Sequence, residues 1–230
     1  MEYGLYGPVV GLENFHCPLC DYRGKFLIVR GRPYAQCPHC YSLERHRFQF
    51  SVLKKVLDEQ AMKNMKALHF APEPSMKKYF STRFGCYKTA DLMRNDVDYK
   101  VDIQALPFSD ESFDFVFASH VLEHIPDDRK ALSEIGRILK PNGMAILPVP
   151  IVTESTIEYP EPDPLQDHHV RAPGMDYYER YVDYFSTCQF YSSEEVDAEC
   201  QPFVFIGGNY RHPLRVDEYK MKDILPICYR

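Results

Sequence analysis

Apolar residues along this chain recur first at helical spacing and then in short unbroken runs. Phe50, Leu53 and Leu57 fall at i, i+3 and i+7 after Ser42, which predicts a helix capped by that serine and running to about Gln60. Residues 67–70 read as a strand stopped by Pro72, and Ser75 as the cap of a short helix that buries Met76, Tyr79 and Phe80. A second strand is predicted over 86–90, ending at Asp91, and a short third over 101–103. Residues 113–118 are apolar except for Asp114, the pattern of a strand covered on both faces. Asp127 or Asp128 opens a helix with Ala131, Leu132, Ile135, Ile138 and Leu139 inward, ended by Pro141 and Gly143. Residues 144–149 read as another buried strand, and the proline-rich acidic stretch 154–164 as a loop or lid. Strands and helices alternating at this spacing predict an α/β fold with a parallel sheet and helices on both faces.

The chain has 230 residues, enough for one sizeable core plus a small appendage. An aromatic content of 14% excludes a disordered chain. No apolar run reaches the roughly 18 residues of a membrane span. The longest, 144–152, is broken by Pro148 and Pro150. Residues 1–15 lack a basic segment followed by an apolar one, so no signal peptide is expected. The expectation is a cytoplasmic protein with no membrane partner.

Four of the eight cysteines stand close together, as Cys17-x2-Cys20, sixteen residues, then Cys37-x2-Cys40. That is the paired-knuckle spacing of a zinc site, and four thiolates close a tetrahedral shell with no position open for catalysis. A structural Zn2+ on Cys17, Cys20, Cys37 and Cys40 is therefore expected, with His16 and His39 as adjacent alternative ligands. Cys86, Cys188, Cys200 and Cys228 read as ordinary small apolar residues. The knuckle segment, residues 17–47, holds six basic and two acidic side chains. At +4 it contrasts with a whole chain of −6, and could recruit an anion or be a solvated face.

In a parallel sheet of this kind ligands bind at the carboxyl ends of the strands. Asp91 lies 21 residues beyond Phe70, where nucleoside-binding folds place an acid on the ribose hydroxyls, so an adenosine compound is expected. The sequence contains neither G-x-G-x-x-G nor G-x-x-x-x-G-K-[ST], the loops that cradle phosphates. S-adenosylmethionine has no phosphate and asks less of that loop.

The stretches ALHFAPEP (67–74), ADL (90–92), DIQALPF (102–108), SFDFVFASHVLEHI (112–125) and RILKPNG (137–143) resemble the successive motifs of class I S-adenosylmethionine-dependent methyltransferases. The resemblance covers roughly residues 65–150, and more loosely the end, where 224–229 would be the last strand. CPLC…CPHCYSLERHR also resembles a bacterial subgroup with an N-terminal zinc ribbon. The departure is the first motif, HFAPEPS here, where the wider family has D-x-G-x-G-x-G. The resemblance implies a Rossmann-like three-layer sandwich, with a zinc ribbon over 1–47 and a methyltransferase domain over 48–230 carrying a lid at about 151–180. It further implies that Ala71 and Glu73 line the methionine end, that Asp91 takes the ribose, and that Leu92 packs on adenine. Asp102 would accept from the adenine amino group, Ile103 would cover the ring, and Ser119 and His120 would approach from the fourth strand.

Methyl transfer needs an aligned nucleophile, exclusion of water and often a base, and imidazole titrates in the right range. His120, His124, His168 and His169 are the candidates. His168, His169 and Arg171 fall in the segment DHHVR beside Tyr177 and Tyr178, which suggests a lid whose Arg171 reads an anionic substrate. The expected function is O-methylation of a small polar metabolite or glycan-type acceptor. The alternatives are an RNA methyltransferase gripping nucleic acid with the basic ribbon, and a non-catalytic S-adenosylmethionine-binding module.

Overall fold

The computed structural model of the protein describes residues 14–206, 212–217 and 219–230. Most of the segment inspected for a signal peptide, residues 1–13, lies outside them. The chain divides into two compact units, Met1–Leu57 with Tyr191–Ile224, and Asp58–Phe190 with Leu225–Arg230. This differs from a boundary at residue 47, because the segment 191–224 joins the cysteine knuckles.

The first unit is built on two small hairpins, Phe15–His16 with Arg23–Gly24 and Leu27–Val29 with Arg32–Gln36, followed by helix α1, Glu44–Val56. Phe15, Phe26, Cys17 and Cys37 form its buried centre. Arg47, on α1, is fully buried. Its guanidinium donates to the carbonyls of Ala35, Ser42, Cys200 and Gln201, at 2.7–3.2 Å, and lies 4.5 Å over the Phe26 ring. One cation thus satisfies carbonyls 153 and 154 residues further along the chain, which local periodicity cannot reveal. The predicted helix to Gln60 is two helices. α1 stops at Val56, and Asp58 caps a short α2, Glu59–Met62. Ser42 does not cap α1. It is buried, its hydroxyl lies among the cysteine sulfurs, and Leu43 takes the N-cap position.

The second unit carries a seven-stranded sheet, here numbered β1 (Lys66–Phe70), β2 (Cys86–Asp91), β3 (Tyr99–Lys100), β4 (Phe113–Ala118), β5 (Leu139–Ile146), β6 (Thr187–Ser192) and β7 (Ile224–Tyr229). The order is β6-β7-β5-β4-β1-β2-β3. β1 to β5 pair in parallel, and β7 runs antiparallel to β5. Helices α3 (Pro74–Ser81) and α4 (Asp128–Ile138) connect parallel strands. This is the Rossmann-like class I methyltransferase sandwich expected from the motifs. β4 is buried at Phe113, Phe115, Val116, Phe117 and Ala118, as its near-continuous apolar run requires.

Three local expectations change. The third strand is Tyr99–Lys100, because those residues meet Ala90 and Asp91 in register, and residues 101–103 turn into the loop that follows. Residues 154–164 are not all loop. Ile157–Asp163 pairs antiparallel with His169–Ala172 in a separate two-stranded ribbon, whose edge tolerates Pro160 and Pro162. Cys188 and Cys228 are not separate thiols but form a disulfide between the neighbouring strands β6 and β7.

The loop after β3 is anchored from α4. Arg137 forks onto Glu134 at 2.8 and 2.9 Å and donates to the carbonyls of Leu106 and Phe108 and to Asp110, while Glu134 accepts from the Leu106 amide. The Arg137 guanidinium holds the Glu134 carboxyl below its ordinary value of 4.5. The folded carboxyl therefore binds its proton less tightly than the unfolded one. Its contribution to stability is complete above that value and is lost as pH falls through it. Urea midpoints measured from about pH 6 down to about pH 3 are expected to fall less steeply for Glu134→Gln than for wild type.

Candidate active site

The carboxyl ends of β1, β2 and β4 and the loop after β3 enclose a cavity of about 360 Å³ within the second unit. That volume is in the range of small-ligand sites. Ala71, Asp91, Leu92, Asp102, Ile103 and His120 all line it. Glu73 and Ser119 do not belong to its wall: Glu73 is the N-cap residue of α3, and Ser119 is buried at the end of β4.

Two backbone turns shape the rim. Ala71 has φ +46° and His120 φ +55°, both left-handed. The turns are held by Ala71 N–H donating to the Ala90 carbonyl and His120 N–H to the Pro148 carbonyl, each at 2.9 Å. Left-handed non-glycine residues of this kind persist where the surrounding structure over-determines them, and they cluster at functional sites. Here alanine takes a left-handed backbone conformation that glycine adopts more readily.

The two acids are pre-set. Asp91 Oδ1 accepts from the amides of Met93 and Arg94 at 2.8 and 2.9 Å. That Asx turn fixes the carboxylate at the strand end. Asp102 is clasped by Gln104, through its amide at 2.8 Å and its side chain at 3.0 and 3.1 Å. Beside them Leu92 and Met93 are 52% and 77% exposed, an unusual openness for apolar side chains on a cavity wall. An apolar ring laid on them would recover roughly 1.5–3 kcal/mol per side chain fully covered. Met93, Val101, Val121 and Ile125 complete the wall and were not read from the sequence; their only signal is adjacency to the motif residues.

The histidines divide by position. His120 and His124 line the cavity. His168 is exposed, with φ +63°, and shares no site with the other histidines. His169 stacks edge-on against His124, ring centres 4.7 Å apart. Burial pushes the pKa of both His124 and His169 down, and each therefore favours the neutral ring. Glu123, buried between them, has Oε1 3.6 Å from His120 Nδ1 and 4.0 Å from His124 Nε2.

Arg171 has another role than reading an anion. Its side chain is 3% exposed. The guanidinium donates to the carbonyls of Leu122 and Ile125, both at 2.7 Å, to that of Pro126 at 3.1 Å, and to Glu158 at 2.9 Å. It lies 3.6 Å from Asp128, which Arg180 also engages. These partners use its donors and make it a clamp between the hairpin and the segment that carries His120 and His124. The tyrosines beside it are structural as well: Tyr181 donates to the Leu147 carbonyl at 2.7 Å, and Tyr178 to that of Val149 at 3.3 Å.

In the first unit the cysteine sulfurs converge. One donor atom from each of Cys17, Cys20, Cys37 and Cys40 lies within 4.8 Å of the others, with Cys17–Cys40 at 3.5 Å and Cys20–Cys37 at 3.7 Å. A tetrahedral zinc with bonds of about 2.3 Å sets its sulfurs about 3.8 Å apart, so the four fit the ion. His16 is instead paired with Asp21 at 2.7 Å.

Residues 56–147 match the family model described as a methyltransferase domain. A 62-residue stretch is 42% identical to the demethylmenaquinone methyltransferase of Staphylococcus epidermidis, 27% of this chain and 25% of that one. The chain spans between 17% and 27% of the length of the curated relatives it matches first. Among solved structures, an S-adenosylmethionine-dependent methyltransferase from Mesorhizobium loti superposes with TM-score 0.54 at 10% identity, over 80% of this chain and 98% of that one. The [4+2]-cyclase SpnF superposes with TM-score 0.53 at 13% identity, over 90% and 89%. These likenesses establish the fold. One fold hosts different chemistries, so activity has to be read from the site.

If Arg171 is a clamp, Arg171→Ala is expected to lower unfolding free energy by about 3 kcal/mol or more, and Arg171→Lys to recover little, because one ammonium cannot bond the same fan of carbonyls. Chemical denaturation checks this. A fully stable Arg171→Ala chain with an altered substrate requirement would restore the anion-reading role.

Proposed function

We propose that this chain is an S-adenosylmethionine-dependent methyltransferase that methylates an oxygen of a small polar acceptor, and that its four cysteines hold a structural zinc. The carrying observation is the cavity in which Asp91, Asp102, Leu92 and Ile103 meet at the carboxyl edge of the sheet. In this reading Asp91 accepts from the ribose hydroxyls, held ready by its Asx turn. Asp102 faces the adenine edge, while Leu92 and Ile103 cover the ring. The left-handed turns at Ala71 and His120 leave room for the methionine end. Bound there, S-adenosylmethionine supplies the electrophilic methyl, and the chain aligns the acceptor and excludes water. His120, on the cavity wall, is the candidate to receive the acceptor's proton.

The ribbon's charge lends little support to an RNA acceptor. Arg32 pairs with Glu44 at 3.0 Å, Arg23 lies 3.6 Å from Glu199, and Arg47 is buried on backbone carbonyls. At least half of the six basic side chains are thus engaged, which favours a small acceptor over a polyanion. For the cysteines, Ser42 supports a metal: its hydroxyl lies 3.3 Å from Cys17 Sγ and 3.2 Å from Cys40 Sγ, the kind of outer contact that orients ligands.

Calorimetric titration of the zinc-loaded chain with S-adenosylmethionine is expected to show saturable binding, weakened about tenfold or more in Asp91→Ala. Absence of binding at millimolar ligand would overturn the reading. Binding without turnover on any hydroxylated acceptor would leave the non-catalytic module, and RNA binding that falls steeply with salt would revive the nucleic-acid acceptor. Native mass spectrometry is expected to find zinc that is lost, together with thermal stability, in Cys37→Ser.

A further inference from the structure

The hairpin pinned by Arg171 brings a residue of its own to the cavity's edge. Glu123, His124 and His169 each offer a donor atom, and the three donors lie within 4.8 Å of one another. The first two follow β4, and the third lies 45 residues beyond His124, on the hairpin strand His169–Ala172. We propose that these three side chains form a second metal site, for a divalent first-row transition ion, at the edge of the cavity and separate from the cysteine knuckle.

Two imidazoles and one carboxylate are the donor set of open, reactive sites. Three protein ligands leave coordination positions for water or substrate, unlike the closed four-thiolate shell. The spacing is close to what an ion needs. Bonds of about 2.0–2.2 Å put neighbouring donors roughly 3–3.5 Å apart, and His124 Nε2 already lies 4.0 Å from Glu123 Oε1. With all three donors within 4.8 Å of one another, an inward movement of the side chains would bring them onto one ion and still leave positions open. The surroundings agree. His169 Nδ1 is buried and has no hydrogen-bond partner among the described residues. An orphaned buried nitrogen costs about 1–3 kcal/mol, which a ligand to that ring would offset. Arg171, two residues after His169, holds the hairpin against the carbonyls of Leu122 and Ile125, on either side of Glu123 and His124.

The site's use rests on reading the cavity as the methyl-donor pocket, whereas its existence does not. His124 is both a proposed ligand and part of the cavity wall, so an ion there would face the acceptor. The acceptor class that suits it carries two adjacent oxygens, as a vicinal diol does, able to chelate at the open positions. The ion would acidify one hydroxyl, whose proton passes to His120. The oxygen's electron pair then forms the C–O bond to the sulfonium methyl. The C–S bond breaks with its pair on sulfur, leaving S-adenosylhomocysteine.

The probe is Mn2+ alone, added to the full chain with its cysteine site zinc-loaded, with free Mn2+ followed by electron paramagnetic resonance. Thiolates prefer zinc, so Mn2+ reports the nitrogen and oxygen site. One saturable equivalent is expected in wild type, with affinity lowered about tenfold or more in His169→Ala and in Glu123→Gln. Retained zinc and nearly unchanged S-adenosylhomocysteine binding in His169→Ala would show that the variant is folded. The proposal is overturned by wild type that takes up no Mn2+, or by undiminished uptake in either variant. Nucleoside binding without Mn2+ uptake would sink the metal site alone. Mn2+ uptake without nucleoside binding would sink the methyltransferase reading and leave the metal site standing.

Discussion

A single buried guanidinium ties the candidate site together. Arg171 reaches from the hairpin to donate to three carbonyls of the segment Leu122–Pro126, those of Leu122, Ile125 and Pro126, and lies against the carboxylates of Glu158 and Asp128. Without a cation these buried carbonyls would go unpaired at a cost. The planar fork of arginine suits the task, since several N–H groups leave it in fixed directions. The hairpin is therefore docked by buried ion pairs and carbonyl bonds beside the cavity rather than forming part of its wall. Its attachment is what sets His169 beside His124, and what makes a shared chemistry of these residues conceivable.

The cavity itself is organised before any ligand enters. Asp91 and Asp102 are each held by donors from their own loops, Asp91 by two amides and Asp102 by Gln104. Holding a carboxylate in advance lowers the ordering cost of binding, the general benefit of preorganisation. The departure from a glycine-rich first motif finds its physical counterpart here. Ala71 adopts the left-handed conformation that glycine would take more easily, and the Ala90 carbonyl secures it. Such a turn gives close backbone approach without a run of phosphate-cradling amides, in keeping with a ligand that carries no phosphate.

The first unit shows how a cysteine cluster and a helix can be coupled. Ser42, one residue before the N-cap of α1, faces the sulfurs of Cys17 and Cys40. Five residues on, Arg47 accepts the role of a central peg, bonding carbonyls before α1 and beyond residue 199. A small domain with a limited core gains from such staples, because apolar burial alone offsets little of its conformational entropy.

Much of this was legible in the chain. The apolar run Phe113–Ala118 and the helix opened by Asp127 declare themselves because burial on both faces, or on one stripe, leaves a direct mark on residue order. The motif acid Asp91 sits at the end of its strand and Asp102 in the loop just after the next one, and the four cysteines carry their spacing openly. Tertiary structure decided the rest. Ser42 looked like a cap until the sulfurs claimed its hydroxyl. Arg171 looked like a substrate reader until the carbonyls of Leu122 and Ile125 occupied it. Cys188 and Cys228 met only through the pairing of β6 with β7. In each case the deciding partner lies far away along the chain, and a side chain's role follows from the groups that desolvate and bond it. Local periodicity records which residues are buried, but not what they are buried against.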